Sequence, residues 1–257
     1  MQRATRWAAA AAVVVLGTGR LRAQDASDDS GRLFPLLDIG VARALGATLA
    51  DRSVTGTSTG GAYHESVQLR LDGQWGIIAE GRIPLGRAKV WGIEAYGARF
   101  RGKARLSAGR QRATGTVPGV PASDSVDYRL SGVTSWRGTL GVARAVPLAG
   151  GLTGALLVGG TYGTIRSPDR ACSASSCPPV LDLTTPGVTV GADVFTREVH
   201  GLRLRASLKG DVLRVDEAEV RRALRWSAFD AAPLGEGSAR WHLLPSFTVG
   251  VEFRIPL

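Results

Sequence analysis

The end of the chain, residues 240–257, alternates between apolar and polar side chains. Polar residues such as His242, Thr248 and Glu252 are separated by large apolar ones. A period of two places successive side chains on opposite faces of a β-strand, whereas a helix would scatter them around its axis. The sequence therefore predicts a long terminal strand whose apolar face comprises Trp241, Leu243, Phe247, Val249, Val251, Phe253, Ile255 and Leu257.

The same alternation recurs along most of the chain. Together with the terminal strand, the earlier segments predict an all-β fold of about eight antiparallel strands. The third segment changes phase between Ile93 and Tyr96, which predicts a β-bulge there. The earlier segments cover about residues 36–49, 67–85, 89–103, 128–147, 152–165, 188–197 and 202–212.

The connections between these segments are of two kinds. Short turns at one rim and long loops at the other are typical of bacterial outer-membrane barrels. An even number of strands places both chain ends at the short-turn rim, which would face the periplasm. The short connections lie at residues 85–88, 148–151 and 197–201, and the long ones at about 50–64, 104–126, 166–183 and 216–239.

No apolar run of about 18 residues follows the N-terminal segment. A membrane-spanning form must therefore be a closed barrel, because an open sheet would leave unsatisfied backbone groups in lipid. A soluble lipocalin-like barrel, with its apolar face turned inward around a ligand, is the alternative. Long strands, the repeated loop asymmetry, and Trp241 and Phe253 near opposite ends of one face favour a transmembrane up-and-down barrel.

The first 23 residues predict a secretory signal peptide. Arg3 and Arg6 precede a short apolar run at residues 7–16, and Ala23 provides a small residue for cleavage. The alternative is an N-terminal membrane anchor, but the apolar run is too short for a spanning helix. Cleavage leaves a polar segment, residues 24–35, before a barrel domain at 36–257. It also removes four arginines and no acids from a chain of net charge +10.

Two cysteines, Cys172 and Cys177, lie in one predicted loop. Export places them in an oxidising compartment, so the sequence predicts a disulfide that closes a small loop. No histidine lies nearby in the sequence to complete a metal-ligand set.

The closing stretch resembles the C-terminal assembly signal of the small OmpA/OmpX/OmpW-like outer-membrane barrels. Thr248, Gly250, Phe253 and Ile255 carry the resemblance, although the chain ends on Pro256-Leu257 instead of an aromatic residue. The resemblance implies passage by periplasmic chaperones to the barrel-assembly machinery. It also implies a monomeric protein in the cell outer membrane, in contact with lipid and lipopolysaccharide.

The polar faces of the strands carry charges of both signs at regular spacing. In a membrane barrel these side chains would line the lumen, where they can pair. An eight-stranded barrel has little room beyond its own side chains, so a closed interior is expected, with a narrow porin-like path for ions or small solutes as the alternative. The predicted lumen charge network comprises Arg70, Asp72, Glu80, Arg82, Asp193, Arg203, Arg205, Lys209, Asp211, Glu252 and Arg254.

Few residues suggest enzymatic chemistry. His64 and Ser66 are similar to the His-x-Ser pair of outer-membrane lipid A deacylases, whose catalytic groups face lipid. Both residues share even-numbered positions with Arg70 on the predicted second strand, so they are expected to face the lumen with it. This orientation argues against such an activity. His200 and His242 have no evident nucleophile or metal partner, so neither catalysis nor a cofactor is expected.

The predicted loops carry basic residues that would suit lipopolysaccharide phosphates, although ordinary solvated charge is the alternative. They include Arg105, Arg110 and Arg112 in the second loop, while residues 217–226 in the fourth could form a helical turn. Nucleic acid is not expected as a partner, because export removes it and the basic residues do not form one patch. The expected role is non-enzymatic, in envelope structure or surface interaction.

Overall fold

The described part of the chain is almost entirely β-strand. The computed structural model describes residues 36–58, 61–86, 90–112, 123–168, 181–216, 220 and 239–254. A short 3-10 turn occupies Ala149–Gly151. The strands are β1 (Leu36–Ala44), β2 (Ala47–Ser58), β3 (Gly61–Leu71), β4 (Gln74–Leu85), β5 (Trp91–Arg112), β6 (Ser123–Pro147), β7 (Thr153–Arg166), β8 (Asp182–Phe195), β9 (Leu202–Asp216) and β10 (Ala239–Arg254).

Eight of these strands close into a ring. The order is β1, β4, β5, β6, β7, β8, β9 and β10, and β10 pairs again with β1. Every pairing is antiparallel, and Leu36 at the start of β1 lies opposite Arg254 at the end of β10. The predicted eight-stranded up-and-down barrel is therefore confirmed. Among the described residues, no helix is long and apolar enough to cross a membrane.

Strands β2 and β3 prolong the barrel wall at the end opposite the short turns. They pair with each other, and β3 also pairs with the outer part of β5. Much of the first predicted loop, at 50–64, is therefore strand. The second predicted loop, at 104–126, is shorter for the same reason, since β5 and β6 pair as far as Gln111 and Ser123.

Two interruptions shift the side-chain phase of the wall. Leu45–Gly46 separates β1 from β2, and Asp72–Gly73 separates β3 from β4. Before the second interruption, odd-numbered Leu71 is buried, whereas even-numbered Gln74 is buried after it. The two strands of the predicted second segment therefore present opposite parities to the barrel interior.

The bulge predicted between Ile93 and Tyr96 is wrong. Side chains of β5 alternate without interruption between exposed and buried from Trp91 to Phe100. Tyr96 points inward because its hydroxyl is hydrogen-bonded in the interior, so this aromatic residue is not part of an outward apolar face. The pairing of β5 with β6 instead shifts at Gly102/Lys103, opposite Gly132, whose φ of 75° favours glycine.

The three predicted short turns join β4 to β5, β6 to β7 and β8 to β9. In the last of these, Val199 bridges Leu202 around His200 and Gly201. Both central residues have positive φ, 53° and 78°. Two such residues form the turn whose twist matches an antiparallel hairpin, which explains why a two-residue connection suffices.

The polarity of the barrel wall reverses along its length. Near the short turns, the outward side chains are apolar, and Ile39, Ile77 and Leu140 are each more than half exposed. Toward the long loops, Arg105 on β5 points outward while its neighbour Leu106 is buried inside. An apolar exterior around a charged interior is the reverse of a soluble ligand-binding barrel and suits lipid as the surrounding solvent.

Candidate functional site

The half of the interior near the short turns is filled by charged side chains. They project from β1, β4, β5, β8, β9 and β10, because the inward positions of these strands alternate with apolar outward ones. We call this group the inner charge cluster. It comprises Asp38, Glu80, Arg82, Glu94, Asp193, Arg203, Arg205, Lys209 and Glu252.

Each cation of the cluster contacts a carboxylate. Arg82 bridges β5 and β8, with its Nε 3.0 Å from Glu94 Oε2 and its Nη2 3.1 Å from Asp193 Oδ2. Lys209 contacts Glu80 and lies 2.9 Å from Glu94.

The remaining cations complete the pairing. Arg205 Nη1 lies 2.6 Å from Glu80 Oε1, and Arg203 pairs with Glu252. Buried charges need such partners, since an unpaired one is costly to remove from water.

Three carboxylates of the cluster could in principle hold a metal ion. One oxygen each from Glu80, Glu94 and Asp193 lies within 4.8 Å of the others. Carboxylate oxygens are ligands that hard cations prefer. However, Arg82 and Lys209 already contact these three carboxylates, so the donor set fits internal ion pairs better than a metal site.

A second polar group lies next to the inner charge cluster, toward the long loops. Asp211 Oδ1 accepts hydrogen bonds from Tyr96 and Thr189, each at 2.6 Å. Its other oxygen accepts one from Arg137 at 2.8 Å, and the Arg137 guanidinium also lies over the ring of Phe100. The carboxylate is therefore fully engaged by side chains from three other strands.

The half of the interior near the long loops is apolar. Each strand of this half turns at least one buried aliphatic side chain inward near its loop end, and these side chains pack together. We call this group the apolar plug. It comprises Leu49, Ala50, Leu69, Leu71, Ala104, Leu106, Leu130, Val133, Ile165, Leu181, Leu183, Leu213, Val215, Val220 and Leu244.

A cavity of about 220 Å³ lies at the short-turn rim. Arg82 and Arg203 line it and lie over the ring of Phe195, at 5.1 and 5.3 Å from its centre. Trp91 and Leu36 form part of the outer lining. The cavity therefore borders the inner charge cluster at two arginines that are already paired with carboxylates.

Most residues of the predicted lumen network lie together. The structure brings Glu80, Arg82, Asp193, Arg203, Arg205, Lys209 and Glu252 into the inner charge cluster, and places Asp211 beside it. The sequence reasoning missed Asp38 and Glu94, which lie between apolar neighbours in the less regular first and third segments. It also missed Arg137, the partner of Asp211.

Arg70 and Asp72 do not belong to this network. Arg70 is exposed on the outer face, opposite Thr48 and Arg105 in the ladder, and Asp72 is only half-buried. The prediction assumed one unbroken strand, but the interruption at Asp72–Gly73 changes which parity faces inward. For the same reason Leu69 and Leu71 are inside the barrel instead of facing lipid.

His64 also lies on the outer face, contrary to the prediction, for the same reason. Its Nε2 is 2.6 Å from Ser53 Oγ, and its Nδ1 is 3.3 Å from Thr55 Oγ1. Ser66 is exposed beside it. The group lies roughly 30 Å along the strands from Trp75, at about 3.3 Å per residue. It is therefore remote from the apolar part of the wall.

The remaining predicted residues have structural positions or lie outside the described chain. Thr248 and Gly250 are buried on β10, and a Cβ at Gly250 would lie 2.9 Å from the backbone carbonyl oxygen of Ile39, so this position needs glycine. Phe253 is half-buried. His242 donates from Nδ1 to the Thr48 carbonyl at 2.8 Å. The signal peptide, Cys172, Cys177, Ile255 and the Arg254 side chain lie outside the described residues.

The interior and wall define a small outer-membrane type of β-barrel. No family model matches the chain, and no curated protein matches it. Solved structures that it resembles include small outer-membrane β-barrel proteins, the class indicated by the sequence. Neisserial surface protein A is 8% identical, with a TM-score of 0.45 over 86% of this chain and 97% of that chain.

Two further solved structures are comparable. The outer membrane protein OprG from Pseudomonas aeruginosa is 12% identical, with a TM-score of 0.48 over 88% of this chain and 97% of that chain. The attachment invasion locus protein Ail of Yersinia pestis, in complex with the heparin analogue sucrose octasulfate, is 11% identical. Its TM-score is 0.42 over 87% of this chain and 100% of that chain. At these identities the likeness concerns the fold alone.

Proposed function

We propose that this protein is an exported outer-membrane β-barrel with a closed interior, which acts through its outer surface in envelope structure or surface interaction. The observation that carries the proposal is the apolar plug. Its leucines meet across the loop half of the barrel, and the inner charge cluster fills the other half with paired charges. An ion would have to pass a layer of buried aliphatic side chains, which is energetically costly.

Single-channel recording in planar bilayers tests this proposal. The folded protein should give no steady current steps, whereas the alternative of a narrow channel requires them. A variant with Leu106→Ala and Leu183→Ala thins the plug and should conduct in brief steps if the plug is the closure. Steady conductance of the parent protein would refute a closed interior.

Membrane placement is tested separately. Cell fractionation should recover the protein with outer membranes, after cleavage of residues 1–23, and folded protein should change its gel mobility on heating. Recovery in the soluble periplasmic fraction would contradict the proposed location. Mass spectrometry of the exported chain gives its first residue directly.

A lipid-modifying activity is the second candidate, favoured only by the contact between Ser53 and His64. The group is exposed, and a hydroxyl rather than a carboxylate meets His64 Nδ1. In such catalytic groups an acidic partner orients the histidine, so the arrangement supports a structural role. Expression should leave the mass of lipid A unchanged, and a mass shift abolished by Ser53→Ala would revive the enzymatic candidate.

A further inference from the structure

Four successive outward positions of β5 carry positive charge. We call them the cationic wall, which comprises Arg99, Arg101, Lys103 and Arg105. Side chains on one face of a strand are spaced by roughly 7 Å, so the four cations form a continuous line. All four are exposed.

Cations on the neighbouring strands widen this line. Arg105 lies directly opposite Arg70 on β3 and Arg129 on β6, and all three are exposed. Like charges directly opposite each other destabilise a sheet. Three adjacent strands therefore hold arginines in a row whose mutual repulsion a bound anion would relieve.

Acidic neighbours do not neutralise the cationic wall. Asp72 donates its backbone amide to the Lys103 carbonyl, and Asp127 lies two positions from Arg129 on β6. Within the described residues, no carboxylate forms an ion pair with Arg99, Arg101, Lys103 or Arg105. Arg99 instead lies over the exposed ring of Trp136, 5.0 Å from its centre.

A shallow depression lies next to the cationic wall, toward the short turns. Its floor is made of small outward residues on β4, β5 and β6, which we call the small-residue recess: Ala79, Gly81, Ala95, Gly97 and Gly138. In the described structure, a Cβ added at Gly81, Gly97 or Gly138 would meet nothing within 4 Å. Larger side chains, including Ile77 and Leu140, border the recess and are exposed.

We propose that this face binds a phosphorylated lipid of the outer leaflet, with its phosphates on the cationic wall and an acyl chain in the small-residue recess. The order along β5 matches such an amphiphile, because Ala95 and Gly97 precede Arg99 in the direction of the long loops. Arginine suits phosphate because its guanidinium can donate two parallel hydrogen bonds. The inference rests on the proposed outer-membrane location, which puts the cationic wall at the outer leaflet.

Native mass spectrometry of the full protein in neutral detergent tests the binding, with purified lipid A as the probe. A double variant, Arg101→Gln with Lys103→Gln, should weaken binding roughly a hundredfold, since each of the two lost charge-assisted contacts contributes roughly one factor of ten. Arg214→Gln is the matched control, because Arg214 is an exposed cation on β9. Lipid A without its phosphates should bind the parent protein as weakly as intact lipid A binds the double variant.

A second pair of variants tests the recess without changing charge. Gly97→Leu fills it and should reduce retention of lipid A, but not of inositol hexakisphosphate, a soluble polyphosphate. Gly160→Leu is the control, since Gly160 is also open and lies beyond Leu140. If soluble polyphosphate binds as tightly as lipid A and Gly97→Leu has no effect, the face is a site for free anions and the lipid proposal is wrong.

The outcomes separate this inference from the proposed function. Heat-dependent gel mobility reports whether each variant forms the barrel, so loss of binding in a folded variant is a loss of the site. Equal binding by the parent and the double variant, or equal losses with Arg214→Gln, would overturn the inference while leaving the barrel intact. Recovery of the parent outside the outer membrane would instead refute the proposed function.

Discussion

Lys209 on β9 and Glu94 on β5 form an ion pair across the barrel interior, with Nζ 2.9 Å from Oε1. Both side chains are almost completely buried. Lys209 also contacts Glu80, so one ammonium group is held by two carboxylates. Strands β5 and β9 are not neighbours in the ring, so this pair joins opposite parts of the wall.

Removing one member of this pair should destabilise the barrel. Glu94→Gln leaves Arg82 and Lys209 with fewer compensating charges, and the loss of a buried partner typically costs about 3–5 kcal/mol. We expect the lower end, about 3 kcal/mol, because Lys209 retains Glu80. Urea unfolding followed by heat-dependent gel mobility measures the change in the free energy of unfolding.

An exposed ion pair provides the control for this variant. Arg166 and Asp182 pair on the surface, where both side chains are more than half exposed. Asp182→Asn should change the free energy of unfolding by less than about 1 kcal/mol. Equal effects of Asp182→Asn and Glu94→Gln would contradict a stabilising role for the interior pair.

Tyr96 should contribute to the stability of the barrel through its hydroxyl group. Tyr96→Phe removes the hydrogen bond to Asp211, and hydrogen bonds to charged groups contribute about 1.5–3 kcal/mol. Tyr162 is exposed on the outer face, so Tyr162→Phe is the matched control and should stay within about 0.5 kcal/mol of the parent. The same urea experiment measures both, and an unaffected Tyr96→Phe would argue against the predicted contribution.

The apolar plug should behave like the core of a soluble protein. Leu183 is fully buried in it, so Leu183→Ala should lower the free energy of unfolding by about 2–5 kcal/mol. Leu204 is more than half exposed near the short turns, and Leu204→Ala leaves no internal cavity. The smaller effect should therefore belong to Leu204→Ala. A larger loss of stability for Leu204→Ala than for Leu183→Ala would contradict the assignment of the apolar plug as a packed core.

The change of parity at Asp72–Gly73 can be tested by cysteine labelling in cells. In a background with Cys172→Ser and Cys177→Ser, a membrane-impermeant maleimide should modify Arg70→Cys rapidly, because Arg70 is exposed. Leu71→Cys should react slowly, because Leu71 is buried in the plug. Rapid labelling of Leu71→Cys, with slow labelling of Arg70→Cys, would contradict the change of parity and support the single unbroken strand that the alternation predicts.

Alternation predicted the barrel because β9 and β10 keep one phase over their length. In the half of β9 near the short turns, inward residues such as Ser207 and Lys209 are polar and their outward neighbour Leu208 is apolar, so the two faces differ in hydropathy. Strand number, chain direction and the position of the short turns therefore followed from the pattern.

The same reasoning failed for the apolar side chains of the loop half. An apolar side chain is equally compatible with lipid on the outside of the wall and with a packed core on the inside. Leu69 and Leu106 could face lipid or pack inside, and only the pairing of the strands decides that they lie inside. An interruption such as Asp72–Gly73 has no hydropathy signal of its own. Tyr96 is inward because Asp211 accepts its hydrogen bond, and the two residues lie far apart in the sequence.

The cationic wall has a consequence for how the barrel enters a membrane. For a chain that inserts from the periplasmic side, Arg99, Arg101, Lys103 and Arg105 must traverse the hydrocarbon layer before they reach the cell exterior. Insertion scales assign about 2.5–3.5 kcal/mol to each such residue at mid-bilayer, so the passage costs roughly 10–14 kcal/mol if all four cross together. Unassisted insertion should therefore be slow, and a catalyst that thins the bilayer beside β5 would accelerate this step most.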